Sequence, residues 1–194
     1  MGFDNCGIWF GGDYNPEQWL GRPDILRRDV ELFQKAGINE ATMGVFSWAA
    51  LEPEEGQYQF DWLKERLDTL YANGIGTILS TPSGARPRWL ARQYPEVLRM
   101  NRSFVREHYG ERQNHCYTSG IYREKTARIN RKLAEAFASH PGVIAWHISN
   151  EFGGECCCPL CQEAFQNWLR DRYQSIDRLN EAWNNAFWSH TYQS

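Results

Sequence analysis

The 194 residues carry a net charge of −3 at a sequence pI near 6.0, which argues against a nucleic-acid binder relying on a broad positive surface. No apolar stretch reaches the 18 residues of a membrane span, and Met1 to Cys6 lacks the basic-then-apolar order of an export signal, so a cytoplasmic protein is expected. Hydrophobic residues make up 42%, enough for one sizeable core, and the nine Trp, nine Tyr and ten Phe suit either core packing or a carbohydrate cleft.

The apolar run Ile8-Trp9-Phe10, leading into Gly11 to Pro16, reads as a short buried strand opening into a loop. From Pro23 the pattern turns helical, with Leu26, Val30 and Phe33 on one face and Gly37 as the stop. Ala41 to Phe46 is the next strand, followed by the turn-rich Glu52-Pro53-Glu54-Glu55-Gly56. A helix after Phe60 shows Leu63, Leu67 and Leu70 on one face and stops at Asn73-Gly74. Ile75 to Ser80 is a third strand, and Pro87 to Leu98 a short helix with an irregular turn. Asn101 to Gly120 reads as a polar loop, long enough to need a function or a tie that orders it. A helix beginning near Tyr122 carries Ile129, Leu133 and Phe137, ends at His140-Pro141-Gly142, and gives way to a strand over Val143 to Ile148. A helix after Cys161 includes Phe165, Trp168 and Leu169, and a smaller one spans Ile176 to Trp183.

Strand and helix thus alternate four times, with polar residues after the strands. This order specifies an α/β fold of parallel strands with helical crossovers. Four units do not close an eight-stranded barrel, which takes about 250 residues. The choice lies between a small open α/β domain and the N-terminal half of a (β/α)8 TIM barrel, and the expectation is the latter, a fragment of a longer chain.

Asn150 and Glu151 lie just beyond the fourth strand, where barrel side chains face an active site. A Glu there is suited to protonating a leaving oxygen, and the neighbouring Asn to holding a sugar hydroxyl. The competing reading is a surface Glu beside a loop Asn. Glycoside hydrolysis needs two carboxyl groups, about 5–5.5 Å apart when configuration is retained. No second one stands out: Asp13 follows the first strand, while Glu17 and Glu52 sit in loops that turn structure or exposure explains.

Cys156, Cys158 and Cys161 form a Cys-x-Cys-x-x-Cys spacing able to wrap one tetrahedral zinc, with a fourth ligand from elsewhere. Cys116 is the natural candidate and His115 the rival. Cys116 would pin the long polar loop against the loop after the fourth strand. Four sulfurs with no open position favour a structural Zn2+ over water activation. Cys157 is expected to face away, and Cys6 stands isolated near the terminus. The crowding of these cysteines speaks for metal over disulfides, and the absence of a basic surface against a nucleic-acid finger.

These residues are joined by Gly11-Gly12-Asp13-Tyr14-Asn15-Pro16-Glu17-Gln18-Trp19, by Gly44-Val45-Phe46-Ser47-Trp48 through Leu51-Glu52-Pro53-Glu54-Glu55-Gly56, and by Arg112-Gln113-Asn114-His115-Cys116. With Asn150-Glu151-Phe152-Gly153, Asn180-Glu181-Ala182-Trp183 and Phe187-Trp188-Ser189, they span nearly the whole chain in order. The chain resembles the N-terminal half of the catalytic barrel of glycoside hydrolase family 42 β-galactosidases. The resemblance implies that residues 1–194 are part of one catalytic (β/α)8 domain that hydrolyses terminal non-reducing β-D-galactose residues with retention. It implies that Glu151 is the acid/base, that Arg112 and Asn150 bind the galactosyl group, and that Trp188 borders that subsite. It gives Cys116, Cys156, Cys158 and Cys161 as zinc ligands, and implies a homotrimer. The nucleophile belongs to a later strand absent from this chain. Two departures stand out: Thr42 where some members have Arg, and a compact segment between Glu151 and the cysteines. Other readings are an α-L-arabinopyranosidase or related glycosidase, and a carbohydrate-binding fragment without catalysis. Tyr14, Trp48 and Pro82 are further candidates for shaping the pocket, with structural roles as the alternative.

Overall fold

The computed structural model describes residues 7–194; Met1 to Cys6, and with them the export-signal reading and Cys6, lie outside the described residues. Strands β1 (Gly11–Tyr14), β2 (Glu40–Met43), β3 (Gly76–Ser80) and β4 (Val143–His147) form one sheet. All three pairings are parallel, and the spatial order β1-β2-β3-β4 follows the chain. The helices are α1 (Pro23–Ala36), α2 (Trp48–Leu51), α3 (Asp61–Ala72), α4 (Arg88–Gln93), α5 (Gly120–Phe137), α6 (Pro159–Tyr173) and α7 (Ile176–Ala182).

The strand register separates two faces. Tyr14, Met43, Leu79 and Trp146 lie in one row and pack with the helices in the hydrophobic core. Asp13, Thr42, Ile78 and Ala145 form the row on the opposite face, outside that core. A sheet wound in one direction with its core on one face is the arrangement of a (β/α)8 barrel; a doubly wound sheet reverses its strand order and covers both faces.

The predicted helical faces supply the core. Leu63, Leu67 and Leu70 of α3 and Ile129, Leu133 and Phe137 of α5 are all buried. Gly37 closes α1 in the left-handed region at φ 73°, its N–H returning to Gln34 and Phe33 carbonyls. This is the ordinary glycine C-terminal cap.

β3, β4 and α7 differ from the sequence reading by one residue each, and four other boundaries differ in ways that bear on the site. Ile8, Trp9 and Phe10 precede β1 and are exposed, as is most of β1 itself, because it lies at an edge of the sheet. β2 ends at Met43 instead of Phe46, because Gly44 turns the chain at φ 90°; a Cβ there would sit 3.3 Å from the Ser80 carbonyl. α5 starts at Gly120, two residues before the expected Tyr122, with the Ser119 side chain capping the Tyr122 N–H. α6 starts at Pro159, placing Cys161 inside the helix instead of ahead of it.

Candidate active site and cysteine cluster

The chain leaves β4 through a tight, unusual turn. Ser149 and Glu151 both adopt positive φ, at 58° and 41°. Such conformations cost about 1–3 kcal/mol each in non-glycine residues, so surrounding bonds must hold them. The Ser149 N–H donates to Thr81 Oγ1 at 2.6 Å, and the Ser149 and Ser83 hydroxyls lie 2.8 Å apart. Tyr122 on α5 donates its hydroxyl to the Ser83 carbonyl at 3.0 Å. The end of β4 is therefore tied to the end of β3 and to the helix behind it.

Three of the four residues proposed for catalysis and substrate binding come together here. Arg112 Nη1 lies 2.9 Å from Glu151 Oε2, with both side chains more than half exposed. An exposed pair of this kind is worth about 0.2–1 kcal/mol, so its consequence is orientation more than stability. The Arg112 guanidinium also lies over the Phe46 ring at 5.9 Å. Asn150 sits between the two strained residues, its Cβ 3.4 Å from where a Cβ on Gly84 would fall. The reading of Arg112 as a salt bridge that orders the long loop is thus met by the same contact that places it on Glu151.

No hydrogen bond, ion pair or ring contact joins Trp188 to this group among the described residues. It is 76% exposed, in a 3-10 turn at φ 56°, and its ring neighbour is Phe187 at 5.6 Å. Core packing, the competing reading for this residue, does not occur among the described residues. Tyr14 and Trp48 take structural places: Tyr14 packs edge-on to Phe33 of α1 and donates to Asp29, and Trp48 is fully buried with its indole bonded to Glu52. Glu52 also accepts from the Gly56 N–H, so turn structure explains it. Thr42 donates to the buried Glu40 carboxylate at 2.8 Å. A hollow of about 460 Å3 beside the end of β4 is lined by Ser83, Tyr122, Asn130, Ile148, Ser149 and Phe152; it lies toward α5 and does not include Glu151 or Arg112.

Gln113 was not singled out beyond its motif, yet it joins the loop to the site twice. Its N–H donates to the Gly84 carbonyl at 2.8 Å and its side-chain amide to the Asn150 carbonyl at 3.1 Å. Its place beside Arg112 was the available signal. Arg86 was missed altogether. It is 4% exposed, lies over the Tyr109 ring at 5.6 Å, and has its pKa lowered to about 10, chiefly by burial.

The cysteine cluster closes the other side of the same loop. The Sγ atoms of Cys116, Cys156, Cys158 and Cys161 lie within 4.8 Å of one another. Cys116 Sγ is 3.6 Å from Cys158 and 3.4 Å from Cys161. Four sulfurs so placed are compatible with tetrahedral metal coordination. Burial raises the Cys116 and Cys161 thiols above their ordinary range, so a cation here would have to displace protons to bind thiolates. His115, the rival ligand, is outside the cluster: it stacks on Tyr122 at 4.1 Å, and burial, followed by Arg86 and Arg99, lowers its pKa to about 3. Cys157 likewise is not among the four, and its N–H donates to the Met100 carbonyl. Arg99 adds a second tie across the loops, donating to the His115 carbonyl at 3.0 Å and to the Gly153 carbonyl.

Comparison with known proteins meets this geometry from outside. The model of the glycoside hydrolase 42 family, described as β-galactosidase, matches residues 13–194. The chain is 58% identical over 186 residues to the β-galactosidase BglY of Alicyclobacillus acidocaldarius, and 55% identical over 183 residues to the β-galactosidase GanA of Bacillus subtilis. These alignments cover 96% and 94% of this chain but 27% of each relative, so the chain spans about a quarter of their length. The crystal structure of a cold-adapted β-galactosidase from Rahnella sp. R3 superposes with a TM-score of 0.93 at 53% identity, covering 98% of this chain and 28% of that one. The alternating parallel arrangement therefore corresponds to the N-terminal half of such barrels. The chain belongs to the glycoside hydrolase 42 family of β-galactosidases.

Proposed function

We propose that residues 1–194 are part of one catalytic (β/α)8 domain in a retaining β-galactosidase, and that Glu151 is its acid/base. The observation that carries this reading is the Arg112–Glu151 pair, held at the C-terminal end of β4 beside Asn150. Glu151 protonates the glycosidic oxygen while a carboxylate from outside this chain attacks the anomeric carbon; Glu151 then takes a proton from water as the glycosyl-enzyme is hydrolysed. Arg112 and Asn150 hold the galactosyl hydroxyls, and Trp188 borders that subsite from its exposed turn.

In the same reading the four cysteines hold Zn2+. Zn–S bonds of about 2.3 Å in a tetrahedron place sulfurs about 3.8 Å apart, close to the separations found here. With all four positions filled by thiolates the ion is structural, tying the Arg112 loop to the segment after Glu151. A thiol-rich metal site suits a reducing cytoplasm. No described helix is long and apolar enough to cross a membrane, and the net charge offers no nucleic acid a broad surface. A homotrimer completes the proposal, as the family resemblance implies.

The test is Glu151→Gln in the full-length protein. Turnover of a galactoside with a poor leaving group should fall about 10²–10⁴-fold. An activated aryl galactoside should suffer less, with azide restoring turnover. Near-normal turnover of the poor leaving group overturns the role. A panel of aryl glycosides, including α-L-arabinopyranosides, tests the sugar; galactose binding without hydrolysis by the full-length protein would leave only a binding module.

A further inference from the structure

A metal held by four thiolates carries net negative charge, which donors around the sulfurs must offset and orient. Two of the sulfurs meet such a group from outside the cluster. Met100 donates its N–H to Cys156 Sγ at 3.5 Å. Thr118 Oγ1 lies 3.2 Å from Cys161 Sγ, a contact in which a thiol donates to the hydroxyl and a thiolate accepts from it. Thr118 therefore ties two of the four sulfurs: its hydroxyl lies on that of Cys161, and it follows Cys116 by two residues. Those sulfurs come from opposite sides of the cluster: Cys116 from the loop after α4, Cys161 from the first turn of α6.

We propose that Thr118 is a positioning residue of the metal centre, a clamp whose hydroxyl fixes the Cys161 thiolate against the loop that carries Cys116 and so sets how tightly the metal is held. The proposal rests on reading the four cysteines as a zinc centre. The Met100 N–H is a main-chain group that no side-chain substitution deletes; the Thr118 hydroxyl is the one that a substitution removes. Valine is the matched probe, because it keeps the β-branched shape and loses only the hydroxyl. The following Ser119, which caps α5, is untouched by the change.

The experiment compares wild type, Thr118→Val and Thr118→Ser in the full-length protein. Zn2+ affinity is read by competition with a chromophoric chelator, and the Co2+-loaded forms are read by their thiolate-to-metal charge-transfer band. Valine should weaken Zn2+ binding about 10-fold, at the lower end of what loss of an outer-shell partner costs. It should also shift the Co2+ band, since the Cys161 sulfur loses its donor. Serine should restore both. Wild-type affinity and an unshifted band in the valine variant overturn the clamp while leaving the zinc centre standing. Serine failing alongside valine also overturns it, since shape would then matter and the hydroxyl would not. A wild type that binds neither Zn2+ nor Co2+ overturns the zinc reading itself, and the clamp with it.

Discussion

The centre of the sheet and its flanks are built from the same strand-helix unit but end in different states. Around β2 and β3, the side chains of Met43, Leu63, Leu67, Leu79 and Leu133 are fully removed from solvent. At the flanks, Ile8, Trp9 and Phe10 ahead of β1 are exposed, and α6 has no buried residue along its 15 positions. The flanks also carry large apolar side chains, but among the described residues no layer covers them. Large apolar side chains left exposed in this way are surface that a further layer can cover. Glu151 belongs to the β4 flank, so the catalytic candidate stands where the described residues leave the structure open. Local hydrogen bonds to Thr81 and Ser83, together with the cysteine cluster, do there what burial does at the centre.

The largest effect expected inside this contrast is at the centre. Leu67→Ala removes side-chain volume from a fully buried site between helix and sheet. Its cost should be about 2–5 kcal/mol, measured as a lowered urea midpoint at unchanged slope. A cost below about 1 kcal/mol would mean that the centre is as loosely held as the flanks, and the comparison would fail.

A polar tie at the centre gives a smaller effect with a pH signature. Lys125 on α5 is buried, pairs with Glu55 at 2.7 Å, and lies under the Tyr94 ring at 5.3 Å. The Lys125 bond holds the Glu55 carboxyl below its ordinary range and raises the lysine in return. The Glu55 contribution is therefore fully present above the carboxylate's ordinary value and is lost as pH falls through its lowered folded value. The Lys125 contribution is present below the ordinary lysine value and is lost as pH rises through its raised one. Glu55→Gln should cost about 1–2 kcal/mol near neutrality, between the worth of a charged hydrogen bond and that of an exposed pair. The gap from wild type should close as pH falls through the lowered value of the folded carboxylate. A gap independent of pH would assign the effect to packing instead of charge.

How much of this was legible depended on which physical rule each residue obeyed. α1 and α3 were readable because apolar spacing and a glycine stop act locally, and Leu63, Leu67 and Leu70 are buried as that spacing required. The cysteine cluster was readable because three of its members lie close together in sequence. β1 was misplaced because Ile8-Trp9-Phe10 reports a capacity for burial, and burial also needs a neighbour that composition does not name. The left-handed turns at Ser149 and Glu151 were invisible because neither residue type favours positive φ; their conformation is imposed by Thr81 and Ser83, far away in the chain. Thr118 and Gln113 escaped for a related reason, since their donors matter only once two distant loops are side by side.

The smallest predicted effect makes the contrast sharpest. Trp168 on α6 is half exposed, stacked on Phe165 at 5.9 Å with the Arg172 guanidinium over its ring at 5.4 Å. In the 194-residue chain by itself, Trp168→Ala should cost about 1 kcal/mol or less, because only these surface ring contacts are lost. In a full-length protein or oligomer whose other parts cover α6, the same substitution empties a buried site and should cost about 3–5 kcal/mol. Equal small costs in the two settings would place α6 permanently at the surface, and its apolar face would need another explanation. A cost that grows between them would show that the flank, including the turn carrying Glu151, is finished by surface from beyond these residues.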